Sequence, residues 1–191
     1  ALARLLTRIE NNDASAESIL SELYANVGRA YRIGMTGPPG AGKSTLTNKL
    51  TRHLRLAGEK VAIIAVDPTS PFTGGALLGD RVRMSDVMLD EGVFIRSMAT
   101  RGSLGGLAKK ATEVADVLDA AGYTTIIFET VGVGQSELDV VHAADTTVVA
   151  LVPESGDAIQ AMKAGLMEIA DVFVMNKADR QDADKAVQAL S

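Results

Sequence analysis

The residues most able to do chemistry are Gly37, Pro38, Pro39, Gly40, Ala41, Gly42, Lys43 and Ser44. They match G-x-x-x-x-G-K-[ST] in full, with Thr45 next. The glycines let the backbone curl so that several N–H groups converge on phosphate oxygens. A helix opening at this point adds its positive end. Lys43 is spaced to reach the outer phosphates of a nucleotide, and the Ser44 hydroxyl to ligate Mg²⁺. A glycine-rich turn with an incidental lysine is the bland alternative. The apolar run YRIGMT before the loop and the helical pattern KSTLTNKLTRHL after it argue against that.

A second constellation lies near the end of the chain. Asn176, Lys177, Ala178 and Asp179 follow the apolar run VFVM and form N-K-x-D. One carboxylate, that of Asp179, can accept from both N1–H and the 2-amino group of guanine. Adenine offers neither donor there and would leave a charge unmatched. Asn176 and Lys177 are expected to brace the loop and cover the purine face. These features predict GTP in preference to ATP.

Three acids complete the set. Asp67 ends VAIIAVD, Asp80 sits in GDRVRM, and Glu129 ends TTIIFE. Carboxylates at adjacent strand ends can meet one Mg²⁺, directly or through water. Asp67 can equally cap the turn before Pro68, and Asp80 the segment RVRMSDVML; both roles are compatible with ligation. In Glu129-Thr130-Val131-Gly132 the acid is placed to hold metal-bound water and the Gly132 amide to sense a terminal phosphate. Lys43, Glu129 and Asp67 are thus the catalytic candidates, and Ser44, Asp67, Asp80 and Glu129 the metal candidates. Gln135 is a candidate for orienting the attacking water. Arg81, Arg83 and Arg101 can neutralise transition-state charge or can simply be solvated.

The elements that must position these groups can be read from the apolar pattern. Strand-like runs fall at 31–36, 60–66, 93–97, 124–129, 146–152 and 172–176. Helical patterns follow several of them, at 43–57, 106–121, 158–169 and 182–190. This alternation predicts an α/β fold of three layers, a mainly parallel sheet between helices. Runs such as VAIIAV and TTIIF suit strands buried on both faces. The first 29 residues read as a short extension of one or two amphipathic helices broken at Asn11–Asp13. Residues 30–191 read as the nucleotide-binding domain. Met84, Met88 and Leu89 read as core positions of a helix, and His53 and His142 as surface or packing residues.

Composition sets the outer limits. The 191 residues are 47% hydrophobic and only 4% aromatic, so the core must rest on aliphatic side chains. A net charge of −5 argues against a nucleic-acid-binding surface. No cysteine is present and there are two histidines, which disfavours thiolate or histidine metal sites. No apolar run has signal-peptide or membrane-spanning character, so the expected compartment is the cytoplasm, without a membrane partner.

The combination resembles the MeaB/ArgK family of P-loop GTPases, to which the human methylmalonic aciduria type A protein belongs. The resemblance rests on GPPGAGKST at 37–45, VDPTSPFTGGALLGDRVRM at 66–84, MATRGSLGGLA at 98–108, ETVGVGQSE at 129–137, VPESGDAIQAMKAG at 152–165 and NKAD at 176–179. It implies a G domain of the signal-recognition, MinD and BioD class, working as a homodimer. It also implies a GTP-hydrolysing chaperone that gates cofactor loading of an adenosylcobalamin-dependent acyl-CoA mutase such as methylmalonyl-CoA mutase. Segments 67–84 and 129–137 correspond to its two switches. Asp157, Gln160 and Lys163, otherwise a helix with an Asp cap, correspond to a third segment that relays nucleotide state to the mutase. The family pattern continues past NKAD to a further base-contacting loop and a dimerisation arm, neither of which is found up to Ser191. The alternative from another class is a P-loop kinase linked to lysine/arginine/ornithine transport, although no acceptor motif accompanies the phosphate loop. A metallochaperone reading lacks a His- or Cys-rich metal store.

Overall fold

The computed structural model describes residues 1–67, 87–99, 104–131, 138–139, 141–153, 166–180 and 183–188. Six strands form one sheet: β1 Tyr31–Thr36, β2 Val61–Asp67, β3 Val93–Ala99, β4 Thr125–Thr130, β5 Thr146–Leu151 and β6 Val172–Met175. Their order is β3-β2-β4-β1-β5-β6, and every pairing is parallel. Parallel strands need crossovers, which here include α3 (Lys43–Leu56) and α4 (Leu104–Ala120). All carboxyl ends therefore point one way. The carboxyl ends of β1, β2 and β4 are neighbours at that edge, where open α/β sheets bind ligands.

The β-branched runs occupy the middle of the sheet. Every residue of β4 is buried, and Val61–Val66 of β2 are too, as strands covered on both faces require. Alternation sorts the side chains. Ala62, Ile64, Ile126 and Phe128 join one cluster, whereas Ile63, Ile127 and Met35 join another beneath α3. A satellite cluster of Val149, Leu151 and Ala186 lies under α6 (Ala183–Gln188), and a short α5 (Leu166–Ile169) precedes β6. Phe128 is fully buried, so an aromatic side chain contributes at the centre of an otherwise aliphatic core.

The N-terminal segment forms α1 (Leu2–Glu10) and α2 (Ala16–Leu23), with a 3-10 turn at Tyr24–Asn26. Leu6 and Ile9 of α1 are fully buried in the same cluster as Val114 and Leu118 of α4. Burying two such side chains contributes roughly 3–6 kcal/mol. Polar tethers fix the geometry. The Asp119 carboxylate accepts from the backbone N–H groups of Gly28 (2.7 Å), Arg29 (3.2 Å) and Ala30 (3.1 Å), which sets where β1 begins. Arg96 on β3 forks onto Glu10 at 2.7 and 2.9 Å and also donates to the Thr7 hydroxyl.

One expectation fails at 87–89. These residues form a turn rather than a helix. Leu89 is 92% exposed and Met88 45%, while Val87 alone of the three is buried. The turn is pinned by Asp90, which accepts from the Arg55 side chain and from the Gly92 N–H, so the two large side chains are turned outward. Met84 lies outside the described residues.

Candidate functional site

The phosphate loop begins where β1 ends. Gly37 has φ of +140°, and a Cβ there would sit 2.1 Å from the Ala150 carbonyl oxygen. Gly42 has φ of +87°, and its Cβ would meet the Asn176 amide at 2.3 Å. Both positions thus need glycine twice over, for backbone conformation and for space. Gly42 is the N-cap of α3 and makes no side-chain cap. The first N–H groups of α3 therefore face the loop with the positive end of the helix dipole behind them.

Lys43 is buried at 6% exposure. Its ammonium donates to the carbonyls of Gly37 (2.7 Å) and Pro38 (3.0 Å), and to Val131 (3.1 Å) beyond the end of β4. One side chain thus ties the loop after β1 to the loop after β4. The Ser44 hydroxyl donates to the Glu129 carboxylate in a short contact. Glu129 is buried, and its neighbour Thr130 donates to the Thr36 hydroxyl at 3.0 Å. That hydroxyl pair, which fastens β4 to β1 immediately under the loop, was invisible in the sequence because threonine in a strand has no further signature. A cavity of about 390 Å³ opens here. Pro39, Gly40, Gly42, Lys43, Ser44 and Thr45 form one wall, and Ala65, Glu129, Thr130 and Val131 the other.

The N-K-x-D segment closes the arrangement from the far side of the sheet. The Asn176 N–H continues the β5–β6 ladder onto the Leu151 carbonyl at 2.8 Å. Its side-chain amide donates to the Ala41 carbonyl at 2.8 Å. Lys177 takes a left-handed backbone, φ +56°, and its ammonium donates to the Gly40 carbonyl at 2.9 Å. Asn176 and Lys177 thus hold the crest of the phosphate loop, over more than 130 residues of chain. Asp179 is exposed two residues further on.

The structure therefore brings together Gly37 through Thr45, Glu129, Asn176 and Lys177, with Asp179 next to the last two. The Asp67 backbone ends β2 beside β4, in the register that pairs Val66 with Thr130. The Asp67 side chain, Asp80, Gly132, Gln135, Arg81, Arg83, Arg101, Asp157, Gln160 and Lys163 lie outside the described residues. His53 and His142 are exposed, away from the cavity walls. Among the described residues no three His, Cys, Asp or Glu side chains cluster as a metal cage. No helix among the described residues is long and apolar enough to cross a membrane.

A family model described as methylmalonyl Co-A mutase-associated GTPase MeaB matches residues 2–191. The chain belongs to the MeaB family. The match takes in α1 and α2 as well as the sheet. A Pyrococcus abyssi protein provisionally named as a GTPase is 60% identical over 184 residues, covering 96% of this chain and 57% of its own length. GTPase ArgK of Escherichia coli is 43% identical, covering 93% and 55%. The methylmalonic aciduria type A homologue of Mus musculus, named as mitochondrial, is 42% identical over 78% of this chain and 36% of its own. A crystal structure titled LAO/AO transport system kinase superposes with a TM-score of 0.68 at 32% identity, covering 98% of this chain and 60% of the other. The chain thus spans little more than half the length of these curated relatives at most. Its fold is that of a P-loop G domain.

Proposed function

We propose that this MeaB-family chain is the nucleotide-binding core of a GTP-hydrolysing chaperone for an adenosylcobalamin-dependent acyl-CoA mutase. The observation that carries the reading is the convergence of Lys43, the Ser44–Glu129 pair and the Asn176–Lys177 brace on one cavity at the strand carboxyl ends. In this reading the amides of Gly37–Thr45 hold the phosphates of GTP or GDP, and Lys43 exchanges its carbonyl partners for phosphate oxygens. Asp179 reads the base, with Asn176 and Lys177 fixing its loop.

The donors fit Mg²⁺. A serine hydroxyl and a carboxylate already touch at the cavity wall, both hard oxygen ligands. Ser44 and Glu129, with Asp67 and Asp80, are the residues that would hold it. When bound, the ion neutralises phosphate charge. Glu129 would also orient water on the reacting side, and the Gly132 amide would register the terminal phosphate. Segments 67–84 and 129–137 would order around the triphosphate and be released after hydrolysis, the usual logic of a nucleotide switch. Asp157, Gln160 and Lys163 would carry that state to the mutase, in the cytoplasm and from a homodimer.

The test is calorimetry of GTP, GDP and ATP with Mg²⁺, followed by hydrolysis with and without a purified cobalamin-dependent mutase. Guanine-selective binding and mutase-stimulated phosphate release support the reading. Absence of guanine nucleotide uptake sinks it. The solved relative titled a transport system kinase gives the second reading its footing. Transfer of the terminal phosphate to an added protein or amino acid, in place of release to water, would favour that alternative.

A further inference from the structure

Ser97, on the edge strand β3, has a buried hydroxyl with no hydrogen-bond partner. Native proteins satisfy nearly all such groups, so an orphaned one asks what it is for. Its surroundings suggest an answer. Val93 and Ile95, four and two residues earlier, pack with the cluster beneath α3, whereas Phe94 and Met98 pack on the opposite side. Alternation therefore puts the Ser97 side chain on the α3 face, the face that carries the phosphate loop.

The register is specific. Ser97 pairs with Ala65 on β2, and Ala65 pairs with Glu129 on β4. The three residues form one row across three strands, with the serine and the glutamate about 10 Å apart at Cα. The residue between them carries only a methyl group and lines the cavity. The carboxylate at the far end of the row is already engaged with Ser44. β3 is also held from its opposite face, where Arg96 forks onto Glu10. The hydroxyl is thus presented from a fixed edge.

We propose that Ser97 is a positioning residue for the metal site. Its hydroxyl holds a water of the hydration shell of the Mg²⁺ that Ser44 and Glu129 bind. Mg²⁺ gives up its water reluctantly and is commonly held through its shell, so an outer hydroxyl at this distance has a partner of the right kind. The inference rests on the nucleotide-site reading above and extends it to a residue that no motif contains.

The experiment compares wild type, Ser97→Ala and Ser97→Thr in the full chain, with melting curves to establish folding. Fluorescent GDP is titrated first in EDTA and then at increasing Mg²⁺. Losing one neutral hydrogen bond should raise the Mg²⁺ concentration for half-maximal tightening by about two- to ten-fold in Ser97→Ala. Affinity in EDTA should stay unchanged, and Ser97→Thr should restore the wild-type midpoint. With Mn²⁺ as the probe, the hyperfine pattern of the bound ion should change in the alanine variant alone. Identical Mg²⁺ midpoints in wild type and Ser97→Ala overturn the proposal while leaving the nucleotide site standing. A wild type whose nucleotide affinity ignores Mg²⁺ removes the metal site itself, and this proposal with it.

Discussion

The two faces of the sheet are built from the same strands and behave as opposites. On one face Ala62, Ile64, Ile126 and Phe128 meet α1, α2 and α4 in a closed apolar cluster. Its charged groups, Asp119, Arg32, Arg96 and Glu10, all serve as tethers between elements. The face beneath α3 starts out just as apolar, with Val61, Ile63 and Ile127, and then changes toward the carboxyl ends. There the chain buries Lys43 and Glu129, and α3 turns Thr47 and Thr51 inward, both fully buried. Burying charge and hydroxyl costs stability unless partners are supplied. The closed face provides the cohesion that lets the other hold polar groups at a cavity wall.

The sharpest way to break that comparison is to strike each face where it is expected to matter. Lys43→Ala should cost about a thousand-fold in GTP affinity, because charge-assisted bonds to two phosphates are lost. It should leave the unfolding free energy within about 1.5 kcal/mol of wild type, since the loop carbonyls it releases can turn to water. Calorimetry and urea unfolding of the same preparation read both quantities. A variant that binds GTP as tightly as wild type would empty the polar face of its assigned role.

Leu6→Ala is the mirror experiment. It deletes a fully buried side chain on the closed face and should cost about 2–5 kcal/mol in urea unfolding. GTP affinity, measured on the folded fraction, should not move. Little loss of stability would mean that α1 is an ornament on the core and not part of it. An equal loss of affinity would mean that the two faces are not independent.

The asymmetry also explains what could be read in the sequence. VAIIAV and the IIF of TTIIF declare central strands because side chains must be apolar when both faces are covered; these residues are buried, while Thr124 at the start of the second run is exposed. Lys43, Ser44 and Asn176 could be picked out because their motifs fix residue types at set spacing, and the structure gathers the three at one edge of the sheet. Strand order is another matter, since β1 lies between β4 and β5 through contacts spanning about a hundred residues. Nor does any pattern announce that Lys43 would reach the Val131 carbonyl or that Ser97 would share a row with Glu129. At 87–89 helical spacing misled, because a short run cannot distinguish a buried helix from a turn with its large side chains outside. There the Arg55–Asp90 contact decides, and it is invisible until α3 and β3 are side by side.

A finer cut separates recognition from grip within the polar face. Asp179→Asn keeps the side-chain shape and removes the charge that is to meet two guanine donors. The preference for GTP over ATP should fall by about ten- to a hundred-fold, while GDP release stays Mg²⁺-sensitive. Competition of both nucleotides against a fluorescent analogue measures it. Selectivity retained in full would mean that the base is read elsewhere.

The smallest effect belongs to the Arg55–Asp90 turn, at the end of the sheet away from the cavity. The Asp90 carboxyl is held below its ordinary value of 3.8, first by the hydrogen bond from the Arg55 side chain and then by the Gly92 N–H. A folded value depressed below the unfolded one contributes stability that is complete above the unfolded value. It is lost as the pH falls through the folded one. Wild type should therefore exceed Asp90→Asn modestly in urea midpoint at neutral pH, and the gap should narrow below pH 3.8. Solvent around this pair keeps the gap small. An unchanged gap in acid would mean that shape at the turn matters and charge does not. GTP affinity is the control: a turn outside the cavity should leave it alone, and a shift would tie the amino ends of the strands to the site at their carboxyl ends.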